Sequence, residues 1–332
     1  MCLNTGMHGV SSRTLENYRV GTMMASRYIG GFKVSDITLA ILQELIRSVS
    51  LDYAASTVKS IHRAVGLILR EAHARGDIKE DPTVRWRIPK NLLAIEPHKD
   101  KVYSDEEVNH ILVTSKEYDL ELHTMLQLLN STGMRPGEML ALKWEDFDED
   151  NQSIFINKTV TREFECIETL DKAGKSHGII SSPKSPYSVR QIPLSTAMTN
   201  ILIEWHKHIL ADKNKKKVGS PYIFPGNDGE FRSISGINTK LQRFRDRYGI
   251  SGVTFYKFRH TLCTRLAVAG FPISITQRIM GDNTVDVILK VYTHVDNAAA
   301  VTAMRNYLME QEALADEKTR NERGANSTQK ST

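Results

Sequence analysis

The sequence is short of cysteine, of long apolar runs and of any large charge excess. Three cysteines, Cys2, Cys166 and Cys263, are scattered through 332 residues. They are odd in number and lack the close spacing of a thiolate site, so neither a disulfide framework nor a structural zinc is indicated. A reducing cytoplasm suits such a chain. The first thirty residues hold no apolar signal-peptide core, and no window approaches the roughly twenty apolar residues of a membrane span. Neither sign of charge dominates, with 44 basic residues against 39 acidic ones. The small excess is uneven: residues 1–100 carry 14 basic and 10 acidic side chains, the remainder 30 and 29. A basic first part suits the neutralisation of nucleic-acid phosphates, although many ordinary surfaces carry as much.

With 40% hydrophobic and 25% charged residues, the composition is that of a soluble globular protein. The length is about twice that of a usual domain, so two cores are expected. A helix is predicted from Thr14 to about Ile29, stopped by Gly30-Gly31. Leu39, Leu42, Leu45, Ile46 and Val49 follow at helical spacing, then Val58, Ile61, Val65, Ile68 and Ala72, with Lys59, Arg63 and Arg70 on other faces. Gly76 and Asp81-Pro82 close this small basic helical unit. Its boundaries are set at residues 1–90, with a linker over 91–103 marked by Pro97 and a polar run.

A second domain is predicted over 104–312, followed by a polar, disordered tail over 313–332. Ser104-Asp105-Glu106-Glu107 has the form of a capping box that opens its first helix. A second helix carries Leu122, Met125, Leu126 and Leu129 and ends at Ser131-Thr132-Gly133. Pro136 suits the first position of the next helix and leaves Arg135 at its N-terminal edge, where an arginine can grip a phosphate bidentately. Taken alone, Arg135 reads first as a surface cation paired with a neighbouring acid. Residues 153–157 and 189–194 have the alternation of strands, and the polar stretch between them carries Lys184 near its end. Ser195 caps a helix with Ile201, Leu202, Trp205 and Ile209 inward, and another helix is expected over 234–248. Val301, Met304, Leu308 and Met309 share one face of a final helix over 298–311, suited equally to packing in its own domain or on a neighbouring copy.

Several short stretches, in this order, resemble the tyrosine recombinases of the phage integrase family. Thr132-Gly133-Met134-Arg135-Pro136-Gly137-Glu138 resembles the family's first arginine box, and Pro183-Lys184-Ser185 with Val189 to Leu194 its β-hairpin lysine segment. Phe258-Arg259-His260-Thr261 resembles the second arginine box, and Val291-Tyr292-Thr293-His294-Val295 the nucleophile box. Residues 13–87 are similar to the family's helical core-binding domain. The resemblance implies a mainly α fold with a small antiparallel β-sheet, in which the core-binding domain precedes a catalytic domain.

By the same resemblance, Tyr292 attacks a DNA phosphate, Arg135 and Arg259 hold the transition state, and Lys184 is the general acid. No metal or other cofactor is implied. Lys59, Arg63 and Arg70 become candidate DNA contacts. The implied partners are duplex DNA with inverted-repeat core sites, three further copies of the chain in a tetrameric synapse, and an excision factor. Integration or excision of a mobile element is the implied activity. The family's arm-binding domain has no counterpart here, so an arm-less type or a piece of a longer gene is expected.

Two positions depart from the family. Tyr256 stands where the family has His, and Asp282 where it has His or Trp. A phenol is a poor base at neutral pH, and an ionised aspartate repels phosphate unless it orients an arginine. His260 and His294 read as packing imidazoles instead of replacement bases. An accessory DNA-binding protein with weakened catalysis is therefore the alternative. The acidic run Glu145, Asp146, Asp148, Glu149 and Asp150 raises a two-metal nuclease as a rival, but five acids within six positions read more simply as a solvated turn. A type IB topoisomerase shares the chemistry, yet the helical first unit and the spacing of the boxes favour a recombinase.

Overall fold

The computed structural model describes residues 11–92, 102–164, 176–183, 186–281, 304–305 and 309. The chain divides into two compact units, Met1–Pro97 with Arg162–Ile179, and His98–Thr161 with Ile180–Thr332. The predicted linker falls mostly at 93–101, outside the described residues, as does the predicted tail.

In the first unit, α1 (Ser12–Ile29) starts where the Ser11 hydroxyl accepts from the Thr14 amide, and ends where the Gly30 N–H closes on the Ser26 carbonyl. Helix α2 (Leu39–Asp52) is capped by Thr38, and buries Leu42, Leu45, Ile46 and Val49. Helix α3 (Ala55–Ala74) buries Val58, Ile61, Val65, Leu69 and Ala72. Leu69 takes the fully buried place expected for Ile68, which is partly exposed. Either residue keeps the mean helical repeat, so periodicity alone leaves the choice open. A methyl on Gly21 would lie 2.9 Å from the Ala64 Cβ, so glycine there permits the close approach of α1 to α3.

Trp86 fixes the chain that follows α3. Its indole N–H donates to the Leu42 carbonyl at 2.9 Å, and its ring packs tilted against that of His62 with centroids 4.1 Å apart. At 1% exposure it is among the largest buried side chains of the unit.

The second unit is built around α5 (Leu120–Thr132), on which Leu122, Met125, Leu126, Leu128 and Leu129 are all fully buried. A helix that buries this many apolar side chains must be covered on most of its surface. Its neighbours include α4 (Asp105–Tyr118), α7 (Thr196–Leu210) and α10 (Phe255–Val268). The predicted capping box is present: the Glu107 amide donates to the Ser104 hydroxyl, and the Glu107 carboxylate accepts from the Ser104 amide. Gly133, with φ +60°, ends α5 and turns the chain into α6 (Pro136–Ala141).

The small sheet runs β1 (Phe147–Asp148), β2 (Ser153–Ile156), then the strand Arg190–Pro193, all antiparallel. Ser153 faces Pro193, and Ile156 faces Arg190. Pro193 is tolerated because its strand lies at the sheet edge. Between these strands, β3 (Thr159–Phe164) pairs with β4 (Ser176–Ser181), so the Arg190–Pro193 strand is β5. The remaining helices are the single turn α8 (Lys215–Val218), α9 (Ile234–Tyr248) and α11 (Ile273–Met280). Met304 and Met309 are helical and exposed, while Val301 and Leu308 lie outside the described residues. No described helix is long and apolar enough to cross a membrane.

Trp86→Ala removes a buried ring and a hydrogen bond, and is expected to cost about 3–5 kcal/mol. Urea unfolding followed by the helical signal checks this. A loss below about 1 kcal/mol would show that the first unit does not depend on Trp86.

Candidate active site

Arg135 is the residue just before α6, and Glu138 lies one turn in. The Arg135 amide donates to Glu138 Oε2 at 2.8 Å, and its Nη1 donates to Glu138 Oε1 at 2.8 Å. The neighbouring-acid reading of Arg135 is therefore observed, and 31% of its side-chain surface is accessible. Its Nη2 donates to the Gly281 carbonyl at 3.0 Å.

Glu138 has a second cation. Arg190, on β5, donates from Nη2 to Glu138 Oε2 at 2.9 Å and from Nη1 to Glu138 Oε1 at 3.3 Å. Only 2% of the Arg190 side chain and 4% of the Glu138 side chain are accessible. Burial pushes the Glu138 pKa up, but the Arg190 hydrogen bond and charge, with help from Arg135, outweigh it and hold the carboxyl below its usual range. Arg190 also donates from Nε to the Ile279 carbonyl at 2.7 Å and from Nη1 to the Ser188 carbonyl at 3.1 Å.

Arg259 reaches the same place from α10. It is buried, and its Nη1 donates to the Gly133 carbonyl at 2.8 Å. Gly133 precedes Arg135 by two residues, so the two predicted arginines converge on one turn of backbone. Gly281 ends α11 with φ +65°, a conformation that favours glycine. A Cβ there would sit 2.5 Å from Arg190 Nη1. The Ser188 hydroxyl reaches the Gly281 carbonyl at 3.4 Å, which brings the end of the β4–β5 connection to the same turn.

Tyr256 lies in the first turn of α10 with 56% of its surface exposed, and His260 is partly buried one turn further on. Lys59, Arg63 and Arg70 are exposed on α3, in the first unit. Lys184, Asp282, Tyr292 and His294 lie outside the described residues. The acidic run is used locally: Asp146 is buried and accepts from the Lys143 amide at 2.8 Å and pairs with Lys158 at 3.0 Å. Asp148 accepts from the Asn151 amide at 2.9 Å. Among the described residues, no three His, Cys, Asp or Glu side chains are grouped as metal ligands.

Two members of the site, Glu138 and Arg190, had no role assigned from sequence. Both had signals. Arg190 shares the inward face of β5 with Ile192, and a buried arginine needs a partner. Glu138 stands three residues after the helix-opening position, the place for an acid that reaches back to the backbone.

Among the described residues, the Arg135 and Arg190 guanidinium groups share the Glu138 carboxylate and Arg259 reaches the Gly133 carbonyl, and of these four side chains that of Arg135 is the most exposed. Fork-shaped donors of this kind suit a phosphate anion and the charge that builds on it during transfer. The profile of the phage integrase family matches residues 101–299. The chain belongs to this family, the tyrosine recombinases. It is 24% identical over 279 residues to the "Tyrosine recombinase XerC-like" of Caldanaerobacter subterraneus subsp. tengcongensis, covering 80% of this chain and 69% of the relative. Among solved structures, the Tn1549 transposon integrase with transposon right end DNA matches with a TM-score of 0.71 at 20% identity, over 91% of this chain and 95% of the other. A lambda integrase tetramer bound to a Holliday junction matches with a TM-score of 0.58 at 20% identity, over 85% and 72%. These likenesses show the mainly helical fold with its small antiparallel sheet.

Glu138→Ala leaves Arg190 buried without its carboxylate and is expected to cost about 3–5 kcal/mol. A carboxyl with a depressed folded pKa binds fewer protons folded than unfolded. Its stabilisation is therefore complete above the unfolded value of 4.5 and is lost as pH falls through the lower folded value. The urea midpoint of Glu138→Gln should fall less steeply than the parent's below that pH. An unchanged acid slope would show that Glu138 is not the group being titrated.

Proposed function

We propose that this chain is an active site-specific DNA recombinase that breaks and rejoins strands by way of a 3′-phosphotyrosyl intermediate. The observation that carries the reading is the convergence of Arg135 and Arg259 on the Gly133 turn, with Glu138 orienting the first of them. The sequence then supplies Lys184 and Tyr292 in the order of the family's boxes.

The Tyr292 oxygen forms a bond to the scissile phosphorus as the bond to the 5′-oxygen breaks. The phenol, with a reference pKa near 10, loses its proton during attack, and Lys184 gives a proton to the departing 5′-oxygen. Arg135 and Arg259 offset the charge that gathers on the non-bridging oxygens. Rejoining is the reverse step, in which a 5′-hydroxyl attacks the phosphotyrosine and returns Tyr292. The ester conserves the bond, so no high-energy cofactor is consumed.

The substrate is duplex DNA with inverted-repeat core sites, and the working form is four copies on two such sites. The tetrameric arrangement of the lambda integrase on its junction supports this reading, and the transposon DNA of the Tn1549 complex supports a mobile element as the source. An accessory DNA-binding role is the second reading, favoured by one observation: an exposed phenol, Tyr256, occupies the position of the family's histidine.

One experiment separates the two. Cells expressing the parent chain are lysed in detergent, covalent protein–DNA adducts are captured, and the attached ends are sequenced. Adducts with discrete ends, abolished by Tyr292→Phe, are expected. Adducts that survive Tyr292→Phe would overturn the nucleophile assignment, and their absence from the parent would favour the accessory role.

A further inference from the structure

Tyr103 ends the predicted linker, and the structure gives it to the core of the second unit, where it is 6% exposed. Its contacts run along one helix. The Thr254 amide donates to the Tyr103 hydroxyl at 2.8 Å, and that hydroxyl donates to the Thr254 carbonyl at 3.3 Å. Thr254 is the N-cap of α10, and its own hydroxyl accepts from the Lys257 amide at 3.1 Å. One turn on, the Lys257 ammonium lies 4.3 Å from the centroid of the Tyr103 ring, and the Phe258 ring packs tilted against it with centroids 4.9 Å apart. A further turn on, the Thr261 hydroxyl accepts from the Tyr103 amide at 2.9 Å and donates to the Lys257 carbonyl at 2.8 Å.

The spacing gives this grip a direction. Thr254, Lys257, Phe258 and Thr261 follow the helical repeat and share one face of α10, while Tyr256 and Arg259 stand on the opposite side. Burial pushes the Tyr103 pKa up to about 12, so at neutral pH the phenol keeps the proton with which it donates to Thr254. One side chain thus fixes where α10 starts and how the helix is turned about its axis. Those settings carry the Arg259 guanidinium to the Gly133 carbonyl at 2.8 Å. A group that offsets transition-state charge has to stand in place before the reaction begins.

We infer that Tyr103 is a positioning residue for strand cleavage, which holds the first turns of α10 from behind and so sets where the Arg259 guanidinium meets the scissile phosphate. The inference rests on the proposed recombinase reading. It adds to that reading a buried phenol that acts through the helix.

The test separates placement from folding. Tyr103→Phe keeps the ring, and with it the contacts to Lys257 and Phe258, but removes both hydrogen bonds to Thr254. Thr261→Val removes the acceptor of the Tyr103 amide, and Thr261→Ser keeps it. Single-turnover cleavage is measured at saturating enzyme on nicked duplexes built from the DNA ends recovered in adducts, with either a phosphodiester or a methylphosphonate at the scissile position. The methylphosphonate carries methyl in place of one non-bridging oxygen and lacks the charge that Arg259 offsets. On the phosphodiester, Tyr103→Phe and Thr261→Val should each lower the rate constant about 10-fold, short of the roughly 100-fold that a displacement of about 1 Å costs. The final yield of adduct should not change, and Thr261→Ser should keep the parent's rate. On the methylphosphonate both losses should shrink. Unchanged rate constants, with or without a lower adduct yield, would show that Tyr103 serves folding alone and would overturn the inference. Arg259→Ala serves as the control. If its loss shrinks on the methylphosphonate but that of Tyr103→Phe does not, the inference is again overturned. If the Arg259→Ala loss does not shrink either, the assignment of Arg259 to the phosphate falls, and the inference falls with it.

Discussion

The second unit depends on one carboxylate held between two arginines. Glu138 is buried, and a lone buried carboxylate is costly unless its charge is met by cations and hydrogen bonds. Arg190 and Arg135 meet it from different elements, β5 and the start of α6. Because both arginines continue to the backbone at the end of α11, this single charge ties strand, short helix and following helix into one turn. Removing the acid would leave two cations facing each other. Removing Arg190 would leave Glu138 with Arg135 as its one described cation.

Two glycines make the convergence possible. Gly133 ends the buried α5 in a left-handed conformation and presents its carbonyl to Arg259. Gly281 does the same for α11 and lets Arg190 lie against bare backbone. Helix α5 carries five fully buried apolar side chains, so Gly133 is delivered from the core of the unit. A site built on such ends holds its geometry before substrate arrives, which is what charge stabilisation in a transition state requires.

Much of this was legible in the sequence. Ser104 with Glu107, Ser195, and the span 234–248 all formed the elements their residues specify, because capping and helical periodicity are local effects. Arg135 before Pro136 could be placed for the same reason. The partner of Arg190 could not be read, since Glu138 lies on a different element and only tertiary packing joins them. The β3–β4 pairing was equally hidden. Its second strand is polar, Ser176-His177-Gly178, and reads as loop until a partner strand is set beside it. On α3, the choice between Ile68 and Leu69 followed the shape of the core and not the repeat. Tyr256, exposed in the first turn of α10, and Asp282, outside the described residues, remain the two departures from the family's pattern.

The most direct measurement is to digest a purified covalent protein–DNA adduct with protease and nuclease and locate the modified side chain by mass spectrometry. A nucleotide joined through its 3′-phosphate to the Tyr292 oxygen is the expected result. A nucleotide on any other residue, or one attached through its 5′-phosphate, would contradict the proposed chemistry.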